Sequence, residues 1–199
     1  HLELKRPFGI TDKLLSPETA KEIYDHCNAL LATEEFRARG IMQKMNVKVV
    51  CTTDDPADTL EYHQQIKQDT SFSVKVLPAF RPDMVMAVES PSVFNEYLAK
   101  LENASDTDIH NYESLLSAVK KRHDFFQEAG CRLSDHGLEN FYAEPYTDVE
   151  IDRIFNFVRS GKDINSSEVL KIKSAILYET ALMDHEKGWT QQIHYGAIR

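Results

Sequence analysis

VKVVCTTDDP, residues 47–56, decides the fold class, because a Val-rich run there ends abruptly in polar residues. Val and other β-branched residues favour strands, and a following Asp-Pro pair is typical of the turn that opens a helix. Residues 74–78, VKVLP, repeat the strand composition. Two weaker runs, at residues 131–134 and 191–194, complete a set of four predicted strands.

Helical patterns separate these four strands. Strands that are separated by helices run parallel and are joined by right-handed crossovers. The sequence therefore predicts an α/β protein, either a barrel or an open sheet, with extra helices in its later crossovers. The expected helix starts are Ser16-Pro17, Asp55-Pro56, Asp106, the capping box Thr147–Glu150 and Asn165–Glu168, and the helix from Asp106 is expected to end at Gly130.

The composition of the 199 residues excludes several classes of function. Acidic residues outnumber basic ones 32 to 23, giving a net charge of -9, which argues against a nucleic-acid partner. No apolar run approaches the roughly 18 residues of a membrane span, so no membrane partner is expected. Only 7 glycines occur, without a phosphate-binding loop, which argues against a nucleotide site.

The three cysteines indicate the compartment. Cys27, Cys51 and Cys131 are odd in number and form no C-x-x-C pair. They are typical of reduced core cysteines rather than of a disulfide framework or a zinc site. A cytoplasmic location is therefore expected.

Each predicted strand is followed by a polar cluster. In α/β barrels the functional residues come from the carboxyl ends of several strands, so four such clusters predict a site at one rim. The alternative is that these are ordinary polar loops. The clusters are Thr52 to Asp55, Arg81 to Asp83, Ser134 to His136, and His194 with Tyr195.

Three positions are the main candidates. Arg81 either pairs with Asp83 or presents a fork to a substrate carboxylate, for which guanidinium geometry is suited. His136 beside Asp135 is a candidate acid–base pair or metal ligand, or else a structural histidine. His194 is the stronger histidine, because it ends a predicted strand with Gln192 on the same face. Asp55 is more simply a helix cap.

The two ends of the chain lead to an expectation about its extent. His1 is not an initiator residue, and the last predicted strand lies close to residue 199. A strand needs neighbours on both sides, so an internal piece of a larger protein is expected. Residues 1–46 form its helical lead-in, and residues 47–199 form its β-α repeats.

Several segments together resemble bacterial uronate isomerases of the amidohydrolase superfamily. The resemblance runs from end to end and is specific in the combination of its motifs. The matching segments are LKRPFGI at 4–10, GIMQKMN at 40–46, VKVVCTTDDP at 47–56, VLPAFRPD at 76–83, SDHG at 134–137 and WTQQIHYGAIR at 189–199.

The resemblance implies a fold and an activity. The fold is a (β/α)8 barrel of TIM type, of which this chain supplies about strands two to five. The activity interconverts D-glucuronate with D-fructuronate, and D-galacturonate with D-tagaturonate, in hexuronate breakdown. A homo-oligomer that takes a hexuronate substrate is expected.

The resemblance also implies roles for individual residues. Arg81 matches the arginine that approaches the sugar acid, and His194 matches a strand-five histidine near a divalent metal, zinc or manganese. Asp135 and His136 match the strand-four motif at the same rim. The metal-binding motifs that such enzymes carry on their first and last strands are not in this sequence, so the remaining ligands of His194's metal are expected elsewhere.

Two other functions remain open at this point. One is a metal-dependent hydrolase of the same superfamily, although residues 131–136 contain no lysine to bridge two metals. The other is a non-catalytic folded fragment that self-associates through exposed sheet edges. Even with the isomerase assignment, the isolated chain is expected to be inactive.

Overall fold

The computed structural model describes residues 2–196 and shows an α/β protein. The last three residues of the segment at 189–199 lie outside the described residues. The strands are β1 (Val49–Cys51), β2 (Lys75–Leu77), β3 (Leu133–Leu138) and β4 (Thr190–Tyr195). The helices are α1 (Leu2–Lys5), α2 (Ala20–Leu31), α3 (Ala38–Lys44), α4 (Glu61–Gln68), α5 (Pro91–Ser105), α6 (Tyr112–Ala129), α7 (Asp148–Arg159) and α8 (Ser166–Lys187), with 3-10 turns at Glu34–Phe36 and Pro82–Met86.

The four strands form two small sheets, β1 with β2 and β3 with β4. β3 and β4 run parallel, with Leu133 opposite Thr190 and Leu138 opposite Tyr195. Single parallel bridges join Phe80 to Asp54 on one side and to Ser134 on the other. All four predicted strands are therefore confirmed, with changed bounds.

The helix starts predicted at Thr147–Glu150 and Asn165–Glu168 are confirmed. Thr147 and Glu150 exchange side-chain-to-backbone hydrogen bonds at the start of α7, and Asn165 and Glu168 do the same at α8. Each box satisfies two backbone N–H groups that a helix start leaves unpaired. Gly188 ends α8 in the left-handed conformation.

Three predicted helix starts lie too early in the chain. The helix expected from Ser16-Pro17 begins at Ala20. Asp55 does not cap a helix, because its Oδ1 accepts the Ala57 N–H at 2.8 Å in a tight turn, and α4 begins only at Glu61, after Leu60 with φ 55°. The helix expected from Asp106 begins at Tyr112, capped by Asn111, and ends before Gly130 as predicted. A separate helix, α5, precedes it in the same crossover, where an extra helix was expected without bounds.

The chain divides into two compact units. The first comprises His1–Val50 and Ile66–Val76, and the second comprises Cys51–Gln65 and Leu77–Arg199. In the first unit, Phe8 and Phe36 stack with ring centroids 5.3 Å apart, and Ile23 is buried. The second unit holds the large apolar core, to which Phe80, Phe94, Phe126, Phe155, Leu98, Leu101, Ile154 and Ile172 contribute.

The three cysteines differ in burial. Cys131 is buried, and burial raises the pKa of its thiol to about 11. Cys27 is half-buried, whereas Cys51 is exposed, so the prediction of a core position is confirmed for Cys131 and wrong for Cys51. Across residues 2–196, no helix has the length and apolarity that a membrane crossing needs.

We predict that Gly40→Ala destabilises the first unit. A Cβ at this position in α3 would lie 2.4 Å from the backbone oxygen of Glu35, so backbone would have to move. The loss in unfolding free energy should be about 1–3 kcal/mol, as for other overpacked sites. Urea unfolding measures it, and the exposed Gln43→Ala in the same helix is the control. Equal stability of the two variants would contradict the close approach.

Candidate active site

Asp135 on β3 lies at the centre of a polar cluster that draws on all four strands. Thr53 Oγ1, after β1, donates to Asp135 Oδ2 at 3.1 Å, and Arg81 Nη1, after β2, reaches the same oxygen at 3.3 Å. His194 Nε2, on β4, lies 2.7 Å from Asp135 Oδ1. We call these four residues together with Asp83 the Asp135 cluster. The convergence of strand ends expected from the sequence is present.

The contact between His194 and Asp135 is close but not aligned as a hydrogen bond. Oδ1 of Asp135 is buried and has no hydrogen-bond partner among the described residues, despite the 2.7 Å distance. The side chain of Asp135 is 7% exposed, whereas that of His194 is 46% exposed. The imidazole can therefore turn toward solvent or a ligand while the carboxylate stays fixed.

Arg81 is held by two carboxylates. Its Nε donates to Asp83 Oδ2 at 2.8 Å, so the ion pair considered from the sequence is present. Both oxygens of Asp83 also accept the N–H of Gly137 on β3, each at 3.2 Å. Asp83 thereby links the segment after β2 to β3 and fixes the guanidinium between them.

The two ion pairs of Arg81 differ in length. The Asp135 contact of Arg81 is the longer one, 3.3 Å against 2.8 Å. Arg81 can therefore exchange Asp135 for an external carboxylate and keep Asp83.

His194 has its expected neighbour. The Nε2 atoms of Gln192 and His194 lie 3.1 Å apart, which confirms that the two side chains share a face of β4. His194 is thus contacted by Gln192 along the strand and by Asp135 across it. Nε2 is the imidazole atom at which a proton would be exchanged here.

His136 does not join the cluster. Successive side chains of a strand point to opposite faces, and His136 Nε2 instead lies 2.9 Å from Ser134 Oγ, on the far side from Asp135. The imidazole is completely buried, and burial lowers its pKa. Of the four residues singled out from the sequence, the structure brings together Arg81, Asp135 and His194.

The described residues 2–196 do not supply a complete donor set for a metal. No group of three His, Cys, Asp or Glu side chains converges on a common point anywhere in residues 2–196. Asp135 and His194 supply two donors that already face each other. The described residues alone therefore do not fit a divalent metal.

A second polar group behind β3 was not predicted. Ser134 Oγ donates to Asp184 Oδ2 at 2.6 Å, and His123 Nε2 lies 3.0 Å from Asp184 Oδ1. Asp184 follows Ile176 and Thr180 at helical spacing, so a carboxylate in the buried stripe of α8 was the available signal.

Comparisons with known proteins place this chain in a family. A family model described as glucuronate isomerase matches residues 1–199. The uronate isomerase of Bacteroides thetaiotaomicron is 58% identical over all 199 residues, which cover 42% of that protein. That of Cellvibrio japonicus is 52% identical with the same coverage. The chain spans less than half the length of these relatives.

Two solved structures are similar as well. The uronate isomerase of Thermotoga maritima matches all of this chain and 43% of its own, with a TM-score of 0.84 and 32% identity. The glucuronate isomerase of Caulobacter crescentus matches 96% of this chain and 39% of its own, with a TM-score of 0.81 and 29% identity.

We predict that acidification destabilises the chain through its buried histidines. Burial lowers the pKa of both His123 and His136, so the unfolded chain takes up protons first as the pH falls below about 6.5. The free energy of unfolding therefore keeps its full value above that pH. It declines below it, by up to about 1.4 kcal/mol per pH unit for each histidine.

Urea unfolding at about pH 7.5 and about pH 5.5 measures this dependence. His136→Gln should lose less stability between the two values than the unchanged chain does. The exposed His110→Gln is the control and should behave like the unchanged chain. Identical losses in all three proteins would contradict the prediction.

Proposed function

This chain belongs to the glucuronate isomerase family, and on that premise we propose that the protein it forms part of interconverts aldose and ketose hexuronates. The proposed reactions are D-glucuronate to D-fructuronate and D-galacturonate to D-tagaturonate, in the cytoplasm. The observation that carries the proposal is the meeting of Arg81, Asp135 and His194 in one cluster at the strand ends.

The barrel is part of the same proposal. The four strands are strands two to five of a (β/α)8 barrel, with residues 1–46 as its lead-in and residues 47–199 as its β-α repeats. Support comes from the isolated parallel bridges of Phe80 to Asp54 and to Ser134, and from the parallel pairing of β3 with β4. The match to 43% of the Thermotoga enzyme is consistent with half of such a barrel.

Arg81 binds the carboxylate of the sugar acid. A guanidinium matches a carboxylate in charge and in planar geometry, and its contact to Asp135 is the one that the substrate replaces. Asp83 keeps Nε engaged and so holds the plane of the guanidinium during the exchange. Fixing the remote carboxylate orients the reacting carbons, which is a large part of the rate that positioning can supply.

Isomerisation moves protons without a change in atoms or overall charge. The C2–H bond breaks, and its electron pair forms the C1=C2 bond of the enediol while O1 takes up a proton. A proton is then added at C1. O2 loses its hydroxyl proton and becomes the new carbonyl oxygen. His194 Nε2 beside Asp135 is placed to exchange a proton with a sugar oxygen. His136 is too deeply buried on the opposite face for that role.

A divalent metal, zinc or manganese, remains a proposal. When bound, it would polarise the sugar carbonyl, and His194 would be one of its ligands. The described residues supply only His194 and Asp135 as donors at this point, so none of the steps above depends on the metal.

The hydrolase alternative has less support. Its bridging lysine is absent from residues 131–136, and the matching family and relatives are isomerases by name. We also propose that the protein binds a hexuronate and assembles into a homo-oligomer.

A chimera tests the proposal. We expect the uronate isomerase of Bacteroides thetaiotaomicron to keep turning over D-glucuronate when its matching segment is replaced by this chain. In that chimera, Arg81→Lys should raise KM about 10- to 100-fold with a smaller change in kcat, because the paired donors are lost. The surface substitution Arg37→Lys is the control. An unchanged KM in the Arg81→Lys chimera would contradict the assignment.

The isolated chain provides a separate prediction. We expect no formation of D-fructuronate when the 199 residues alone are incubated with D-glucuronate and zinc or manganese. The reason is that the described residues do not complete a metal site. Measurable product, detected against the active chimera as positive control, would refute it.

A further inference from the structure

We infer that Asp184 is a positioning residue for Asp135, acting through Ser134 on the opposite face of β3. Its kinetic consequence depends on the proposed function. Ser134 and His136 flank Asp135 in sequence and share the face of β3 opposite Asp135, where Ser134 bonds to Asp184 on α8 and His136 bonds to Ser134. We call Ser134, His136, His123 and Asp184 the rear network.

The hydrogen bonds of the rear network have defined directions. A carboxylate only accepts, so His123 Nε2 donates to Asp184 at 3.0 Å and Ser134 Oγ donates to it at 2.6 Å. Because the Ser134 hydroxyl proton is directed at Asp184, its oxygen accepts from His136 Nε2 at 2.9 Å. His123 also accepts from Lys187 at Nδ1, so it is neutral with its proton on Nε2. The Nδ1 atom of His136 is buried and has no hydrogen-bond partner among the described residues.

The rear network is anchored at its far end. Lys187 Nζ donates to His123 Nδ1 at 2.9 Å and also pairs with Asp124. The ring of Trp189 stacks on His123 with centroids 3.9 Å apart. His123 on α6 and Asp184 on α8 are thereby immobilised, and the bonds to Ser134 transfer that rigidity to β3.

Stability alone does not account for a polar rear face. Parallel strands covered by helices normally carry apolar residues on the covered side, and a buried hydrogen-bonded network gains little over a well-packed apolar core. Ser134 and His136 are both fully buried, and Asp184 is 3% exposed. What a directional network adds is a single rotation and register for the strand that carries it.

This rotation determines where Asp135 points. Ser134 is fixed to Asp184 on α8, and His136 is hydrogen-bonded to Ser134, so β3 cannot rotate about its axis and carry Asp135 away from Thr53 and Arg81 without breaking the Ser134–Asp184 bond. A cluster that must exchange Arg81 partners during binding benefits from a carboxylate that stays in place. Asp184 contacts none of the reacting groups and acts only through β3.

Kinetics of the chimera test the inference. We expect Ser134→Ala to lower kcat about tenfold while KM changes less than about threefold, since geometry rather than binding is lost. Ser105→Ala is the matched control, because Ser105 is a buried serine of α5 whose hydroxyl donates to Leu101 O. It should lower the melting temperature without changing kcat. Equal kcat values for the two variants would overturn the inference.

A double-substitution cycle separates positioning through Ser134 from a direct effect. If Asp184 acts through Ser134, Ser134→Ala should lower kcat no further in a chimera that already carries Asp184→Ala. Additive losses would show that the two residues act independently, which overturns the inference.

Hydrogen exchange provides a readout that does not depend on turnover or on the fold of the Asp184 variant. Ser134→Ala should raise amide exchange in peptides that cover Leu133–Leu138, whereas Ser105→Ala should raise it in α5 alone. Unchanged exchange at Leu133–Leu138 contradicts the inference even if kcat falls. An unsubstituted chimera without turnover contradicts the proposed function instead, and exchange then still decides the role of Asp184.

Discussion

The buried carboxylate of Asp135 is the constraint on which the site depends. A buried carboxylate is costly unless donors or a charged partner face it. Thr53 after β1 and Arg81 after β2 donate to Asp135, and His194 of β4 lies 2.7 Å from its other oxygen. These groups can face Asp135 only when the segments that carry them meet at one place. The same contacts that stabilise the charge therefore assemble the residues that the proposed isomerisation uses.

Local sequence predicted the parts of the fold that local chemistry determines. The Val-rich runs at β1 and β2 and the capping boxes of α7 and α8 need no distant partner, and all were found. The start of α4 was missed because Asp55 bonds to Ala57 and also to the hydroxyl of Tyr97, which lies on another helix. A long-range contact there overrides a sequence that resembles a helix start.

The sequence predicted which residues contribute to the site but not which face of β3 each side chain occupies. The rule that functional residues follow parallel strands identified Arg81, Asp135 and His194 correctly as neighbours. It could not separate Asp135 from His136, because adjacent residues of a strand point to opposite faces and the register of β3 decides which one reaches the cluster. Asp184 was beyond reach for another reason: it lies 50 residues from Ser134 in sequence.

The stacking of Trp189 on His123 places a fluorescent side chain behind β3. Trp189 is the single tryptophan of the sequence, so its emission can be excited apart from that of the 8 tyrosines. Its indole lies against an imidazole that is hydrogen-bonded to Asp184. The tryptophan emission of the native chain therefore reports on the packing of a place that no solvent-borne dye could approach.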